Sequence, residues 1–177
     1  MKEPSRRVLA TVLSGWLVVV LLAQANHYLA ALHTHLWAGG LLVTFASLRL
    51  EHREGLVAVL LIGALCDASS PVPFGLHAFL FALAHAVIHN LRNRFPREEA
   101  FFGIVVALLA NLGLFLAFSF TRIGGLPHPG ASWLRLFADL LVSQATIAVF
   151  TPWLLALHER AMEIAGVSLR AEQRGVI

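Results

Sequence analysis

Charge is scarce in this chain. Only 13% of its 177 residues are Asp, Glu, Lys or Arg, against the ~25% of an ordinary soluble domain, while 58% are hydrophobic. Mean hydropathy is +0.77. A water-soluble fold of this length cannot hide so much apolar side chain, so lipid is the better solvent. Cysteine is nearly absent: Cys66 stands alone, which excludes an internal disulfide and a cysteine-based zinc cluster. No stretch reads as a linker, so residues 1–177 are expected to form a single integral membrane domain. The basic residues that raise the pI to about 10.0 are scattered over short loops rather than gathered on one face, which argues against nucleic acid as a partner.

What the chain has instead is apolar runs. Membrane spans need roughly 20 mostly apolar residues, because each backbone polar group must be satisfied within its own helix. Six stretches approach this: 8–25, 36–50, 55–68, 74–91, 100–120 and 133–157. The second and third are short, and a turn containing Arg49, Glu51, His52, Arg53 and Glu54 is expected to lie in water between them. The basic opening, Met1 to Arg7, resembles a signal peptide. Without a small-x-small cleavage pattern at the end of the apolar run, it reads as an uncleaved first helix. The expected fold is an all-α, six-helix membrane bundle, with residues 159–177 as a cytoplasmic tail.

Sidedness follows from Lys and Arg. The first and third loops, 26–35 and 69–73, contain none. Eleven of the thirteen basic residues fall in the N-terminal tail (Lys2, Arg6, Arg7), the second loop (Arg49, Arg53), the fourth (Arg92, Arg94, Arg97) and the C-terminal tail (Arg160, Arg170, Arg174). Arg122 and Arg135 are the other two. The positive-inside rule then places both termini in the cytoplasm.

Polar residues inside spans are costly in lipid and therefore informative. Asp139 lies four residues after Arg135 on one helix face, and a local ion pair is expected. Asp67 has no partner within its own helix. It is expected to cap the turn containing Ser69, Ser70, Pro71 and Pro73, with a proton or substrate role as the alternative. Two aspartates invite comparison with an aspartyl protease, but that chemistry needs two carboxylates sharing one proton, and nothing flanks either residue in that manner. Ser14-Gly15 lies in an ordinary apolar helix, and no G-x-S-x-G elbow occurs. His85 and His89 have the i, i+4 spacing of zinc ligands, with His77 two turns before His85. The H-E-x-x-H base is missing and no third ligand is evident, so neither metal nor cofactor is expected. His27, His33, His35 and His128 are assigned to outer loops, facing water or headgroups. Ala78, Ala82 and Ala86 on one helix, and Gly63 with Asp67 on another, form small-residue rows that let backbones approach. Asn111 is placed to bridge helices. Ser143, Gln144 and Thr146 form a polar patch on the last helix, where Pro152 is expected to introduce a kink.

The third and fourth spans read Gly55-LVAVLLI-Gly63-ALC-Asp67-ASSPVPF-Gly75-L-His77-AFLFALAHAVI. A glycine-rich helix ending in Asp, a short turn, and a Gly-x-His-Ala opening of the next helix resemble the signature of the bacterial rod shape-determining protein MreD family. The residues that carry it are Gly63, Asp67, Gly75, His77 and Ala78. The resemblance implies a non-enzymatic scaffold of the cell-elongation machinery. Such a subunit binds the single-span protein MreC and connects indirectly to MreB filaments and to the RodA–transpeptidase complex of peptidoglycan synthesis. It also implies a fold similar to the substrate-binding subunits of energy-coupling-factor vitamin transporters. The alternative function is therefore a small-molecule-binding subunit, with Asp67, His77, Asp139 and Gln144 among its polar groups.

Overall fold

A computed structural model of the chain describes residues 3–70, 72–92, 100–123 and 129–166. Arg94, Arg97, His128, Pro71, Lys2 and the tail from 167 onward lie outside the described residues. Within them the protein is entirely helical: α1 Glu3–Leu29, a 3₁₀ turn Ala30–Leu32, α2 Gly39–Arg49, α3 His52–Ser69, α4 Leu76–Leu91, α5 Ala100–Ile123 and α6 Pro129–Ile164. Three helical stretches are long and apolar enough to cross a membrane: Glu3–Leu32, Phe101–Thr121 and Trp133–Ile164. α2 and α4 are apolar but shorter.

Helix formation follows from unbroken runs of Leu, Ala, Val and Phe, but the faces are inverted relative to a soluble bundle. α1 turns Arg7, Ala10, Thr11, Ser14, Gly15 and Val18 inward, at i, i+3 and i+4 spacing. Its outer face carries Leu9, Leu13, Trp16, Leu17, Val20 and Leu21. α3 repeats the design: Gly55, Ala58, Val59, Ile62, Gly63, Cys66 and Asp67 are buried, while Val57, Leu60, Leu61 and Leu65 are exposed. Small and polar residues fill the interior, and bulky apolar ones cover the exterior. Soluble monomers rarely expose contiguous apolar patches beyond a few hundred Å². A chain surrounded by hydrocarbon loses nothing by exposing Leu and Phe, and gains by placing small residues where helices meet.

α2 is the central element. Every residue from Gly39 to Ser47 is buried, as expected of a helix that is apolar all round. Thr44 and Ser47 remove their polarity by donating to the carbonyls of Gly40 and Val43. Gly40 sits against α5: a Cβ there would lie 2.3 Å from the Asn111 nitrogen and 2.5 Å from the Ala107 oxygen. At 11 residues, α2 is only about 16 Å long. The non-helical residues 34–38 before it add at most roughly 17 Å. Together they approach the ~30 Å of a bilayer's hydrocarbon core.

The helix ends cluster into two groups. At one end Arg7 of α1 reaches Glu54 of α3 (3.8 Å), Arg49 of α2 pairs with Glu159 of α6 (3.1 Å), and Arg92 after α4 donates to the Leu50 carbonyl (2.6 Å). At the other, Trp37 and His77 both pack on Phe118 of α5, and Phe120 meets Trp133 of α6 edge-on. The turn between α2 and α3 is accordingly not wholly in water. Glu51, His52 and Arg53 are exposed, but Glu54 is buried because it faces Arg7. α6 runs through Pro152 and onward to Ile164, so the start of the tail continues the last helix.

Candidate functional site

The last turn of α3 and the first turn of α4 meet at one carboxylate. Helix N-termini leave their first N–H groups without intrahelical partners. α4 cannot supply its own cap, because the residue before it is Gly75, held in the left-handed region at φ 98°. Asp67 supplies it from the preceding helix. Its Oδ1 accepts the His77 N–H (2.9 Å) and the His77 Nδ1–H (2.8 Å). Its Oδ2 accepts the N–H groups of Gly75 (3.0 Å) and Ala78 (3.2 Å). The negative charge also sits at the positive end of the α4 dipole. The Asp67 side chain is 0% exposed, yet both of its oxygens have partners.

Gly63 makes this reach possible. One turn before Asp67 on the same face, its missing Cβ would lie 2.5 Å from the Ala78 Cα and 2.7 Å from the Ala78 nitrogen. The α3 and α4 backbones are therefore in contact, and a side chain as short as Asp can span the gap. The imidazole of His77 carries the lock onward: its ring lies 4.4 Å from that of Phe118 on α5 and meets Phe81 edge-on at 6.0 Å. Gly63, Asp67, Gly75, His77 and Ala78 thus form one constellation. Asp67 caps the start of α4 rather than the Ser69–Pro73 turn, to which it contributes only its backbone carbonyl, accepting the Ser70 N–H at 3.4 Å. Ser69 instead donates its hydroxyl to the Cys66 carbonyl.

Asp139 belongs elsewhere, and the expected Arg135 pair does not form. Arg135 is exposed, whereas Asp139 is buried and accepts the backbone N–H of His35 (2.9 Å). The competing demand is the non-helical segment before α2. Buried irregular backbone in a membrane protein needs protein partners. Asn26 of α1 clamps Leu36 through both its N–H (2.7 Å) and its carbonyl (2.8 Å). Ser143 of α6 accepts the Trp37 N–H (3.0 Å), and Asn111 of α5 accepts that of Gly40 (3.2 Å). Gln144 donates to the Leu108 carbonyl (3.0 Å), tying α6 to α5. Thr146, grouped with this patch by sequence, is half-buried and donates its hydroxyl to the Val142 carbonyl of its own helix. Asn26 escaped sequence reasoning: a lone amide near a helix end carries no motif, and its partner is ten residues away. Ser14 donates to the carbonyls of Ala10 and Thr11, a helix-internal role.

His27, His33 and His35 are exposed, while His85 is fully buried. The third imidazole that the spacing of His85 and His89 lacked is His52, at the start of α3.

An apolar exterior, a polar and small-residue interior, and helices locked through backbone caps define an all-α membrane protein. Residues 5–160 match the family of the rod shape-determining protein MreD, and the chain belongs to that family. The match runs from the first turns of α1 into the second half of α6, and the family's role is rod-shape determination. No curated protein and no solved structure matches the chain.

Proposed function

We propose that this protein is a non-enzymatic scaffold subunit of the bacterial cell-elongation machinery. It resides in the cytoplasmic membrane with six spans and both termini in the cytoplasm. It binds an MreC-like single-span protein and thereby helps position peptidoglycan synthesis, with the RodA–transpeptidase complex and MreB filaments as indirect partners. The family assignment supplies the process. The observation that carries the scaffold reading is the Asp67 cap, in which the buried acid of the α3–α4 turn is fully occupied in joining two helices. The clustering of Arg7, Arg49 and Arg92 at one end of the bundle supports the six-span, positive-inside arrangement.

The small-molecule reading needs convergent polar groups facing a pocket. Asn26, Asn111, Asp139 and Ser143 are instead engaged by the chain's own backbone at residues 35–40, which favours the scaffold. The test is copurification from gently solubilised membranes. The wild-type protein is expected to bring down a single-span MreC-like protein, and Asp67→Ala to lose it. A folded Asp67→Ala protein that keeps its partner but abolishes uptake of a small solute would transfer support to the transporter reading.

A further inference from the structure

We propose that His52, His85 and His89 form a binding site for a divalent transition-metal ion of the zinc type. The site would fasten the first turn of α3 to the last turns of α4. The three residues each offer a ring nitrogen, and these atoms lie within 4.8 Å of one another. The ring centroids are 5.3 Å (His52–His85), 4.8 Å (His52–His89) and 5.5 Å (His85–His89) apart. Two helices converge to make this group. His85 and His89 share a face of α4 one turn apart, and His52 arrives 33 residues earlier in the chain.

The surroundings are organised around the innermost ring. His85 is fully buried and packs onto Gly55, where a Cβ would lie 2.4 Å from its Cε1, so only glycine leaves room for the imidazole. One ring nitrogen of His85 contacts the His52 carbonyl (3.2 Å) and the other the Ser47 hydroxyl (3.0 Å). Metal-bound imidazoles ordinarily use one nitrogen for the metal and hold the other in an orienting hydrogen bond to a carbonyl or similar group. Ser47 can release the ring, because its hydroxyl already has the Val43 carbonyl as acceptor at 2.8 Å.

Exposure rises across the group, from buried His85 through half-buried His89 to exposed His52, so an ion reaches the site from the water side. Zinc–nitrogen bonds of about 2.0–2.1 Å in a tetrahedron put ligand nitrogens about 3.3 Å apart. The present span of 4.8 Å must therefore close by about 1.5 Å, and the exposed His52 side chain, whose ring packs against those of His85 and His89, can swing toward them. The nearby positive charge of Arg92 is directed to the carbonyls of Ser47 (3.2 Å) and Leu50 (2.6 Å). Three imidazoles without a carboxylate select zinc, nickel, cobalt or copper over magnesium and calcium. Three protein ligands leave a fourth position for water or for a side chain of another molecule.

The experiment uses the full-length protein in detergent or nanodiscs, with a purification tag that contains no histidine. It is titrated with Co²⁺, then with Zn²⁺ in competition, and bound metal is counted after dialysis. One ion per chain, a tetrahedral Co²⁺ spectrum and Zn²⁺-dependent thermal stabilisation are expected. His52→Ala, at an exposed position, should melt like the wild type without metal yet bind at least about tenfold more weakly, and His89→Ala should do the same. His33→Ala, at an exposed histidine elsewhere, should bind normally. Failure to saturate in the micromolar range, or equal binding by the wild type, His52→Ala and His89→Ala, would overturn the proposal.

Discussion

Asp67→Ala should be the most damaging single-atom-group deletion at the α3–α4 turn. The substitution removes the acceptor for three backbone N–H groups and for His77 Nδ1. Loss of an N-cap costs about 0.5–2 kcal/mol, and removing one partner of a buried ionic hydrogen-bonded set about 3–5 kcal/mol. The Gly75 and Ala78 bonds are only partly buried, so water can replace some of what is lost. Roughly 3 kcal/mol is therefore expected. At ~2–4 °C per kcal/mol for a chain of this size, the melting temperature should fall by roughly 6–12 °C. Trp37, which packs on Phe115 and Phe118 beside the His77 ring, provides the fluorescence reporter, with size-exclusion profiles as a check on aggregation. Asp67→Asn keeps one oxygen for His77 but turns an N–H toward Gly75 and Ala78, so its loss should be intermediate. A melting curve for Asp67→Ala within about 1 °C of the wild type would refute the capping role and return the residue to a proton or substrate function.

Gly63→Ala must push the α3 and α4 backbones apart, since its Cβ would meet the Ala78 backbone at 2.5 Å. A loss of about 1–3 kcal/mol is expected by thermal melting, whereas Gly113→Ala, with nothing within 4 Å, should be neutral or slightly stabilising. Arg135→Ala should leave the melting temperature unchanged, while Asp139→Ala strands the His35 N–H at a cost of about 1–3 kcal/mol; equal losses would restore the local ion pair. For sidedness, Cys66 is replaced by Ser and single cysteines are introduced as Arg53→Cys or Ser69→Cys. A membrane-impermeant thiol reagent applied from outside should label the second and spare the first; the reverse pattern would invert the topology.

Some of this architecture was legible from residue order alone. Composition required lipid as solvent, because no packing can bury a chain with 58% hydrophobic residues and 13% charged ones as a small soluble domain. Long apolar runs required helices, since an isolated run in hydrocarbon can satisfy its own backbone only that way. The Gly63, Asp67, Gly75, His77 and Ala78 pattern pointed to the family because its spacing is local, within two helices and one turn.

Tertiary structure decided what depended on residues distant in sequence. Asp139 looked paired with Arg135 because four residues suffice to align two side chains on a helix. In the folded chain the backbone N–H of His35 competes for it and wins, while the exposed arginine can turn to solvent. Glu54 looked solvated until α1 brought Arg7 beside it. α2 looked merely short, and only the fold showed Asn26, Asn111, Asp139 and Ser143, from three other helices, satisfying the irregular stretch that leads into it. His52 joined His85 and His89 only through the packing of α3 on α4. Periodicity and composition report on a residue's own helix and its solvent. Which buried polar group meets which depends on the pairing of helices, and in this protein those pairings place the acids, amides and imidazoles.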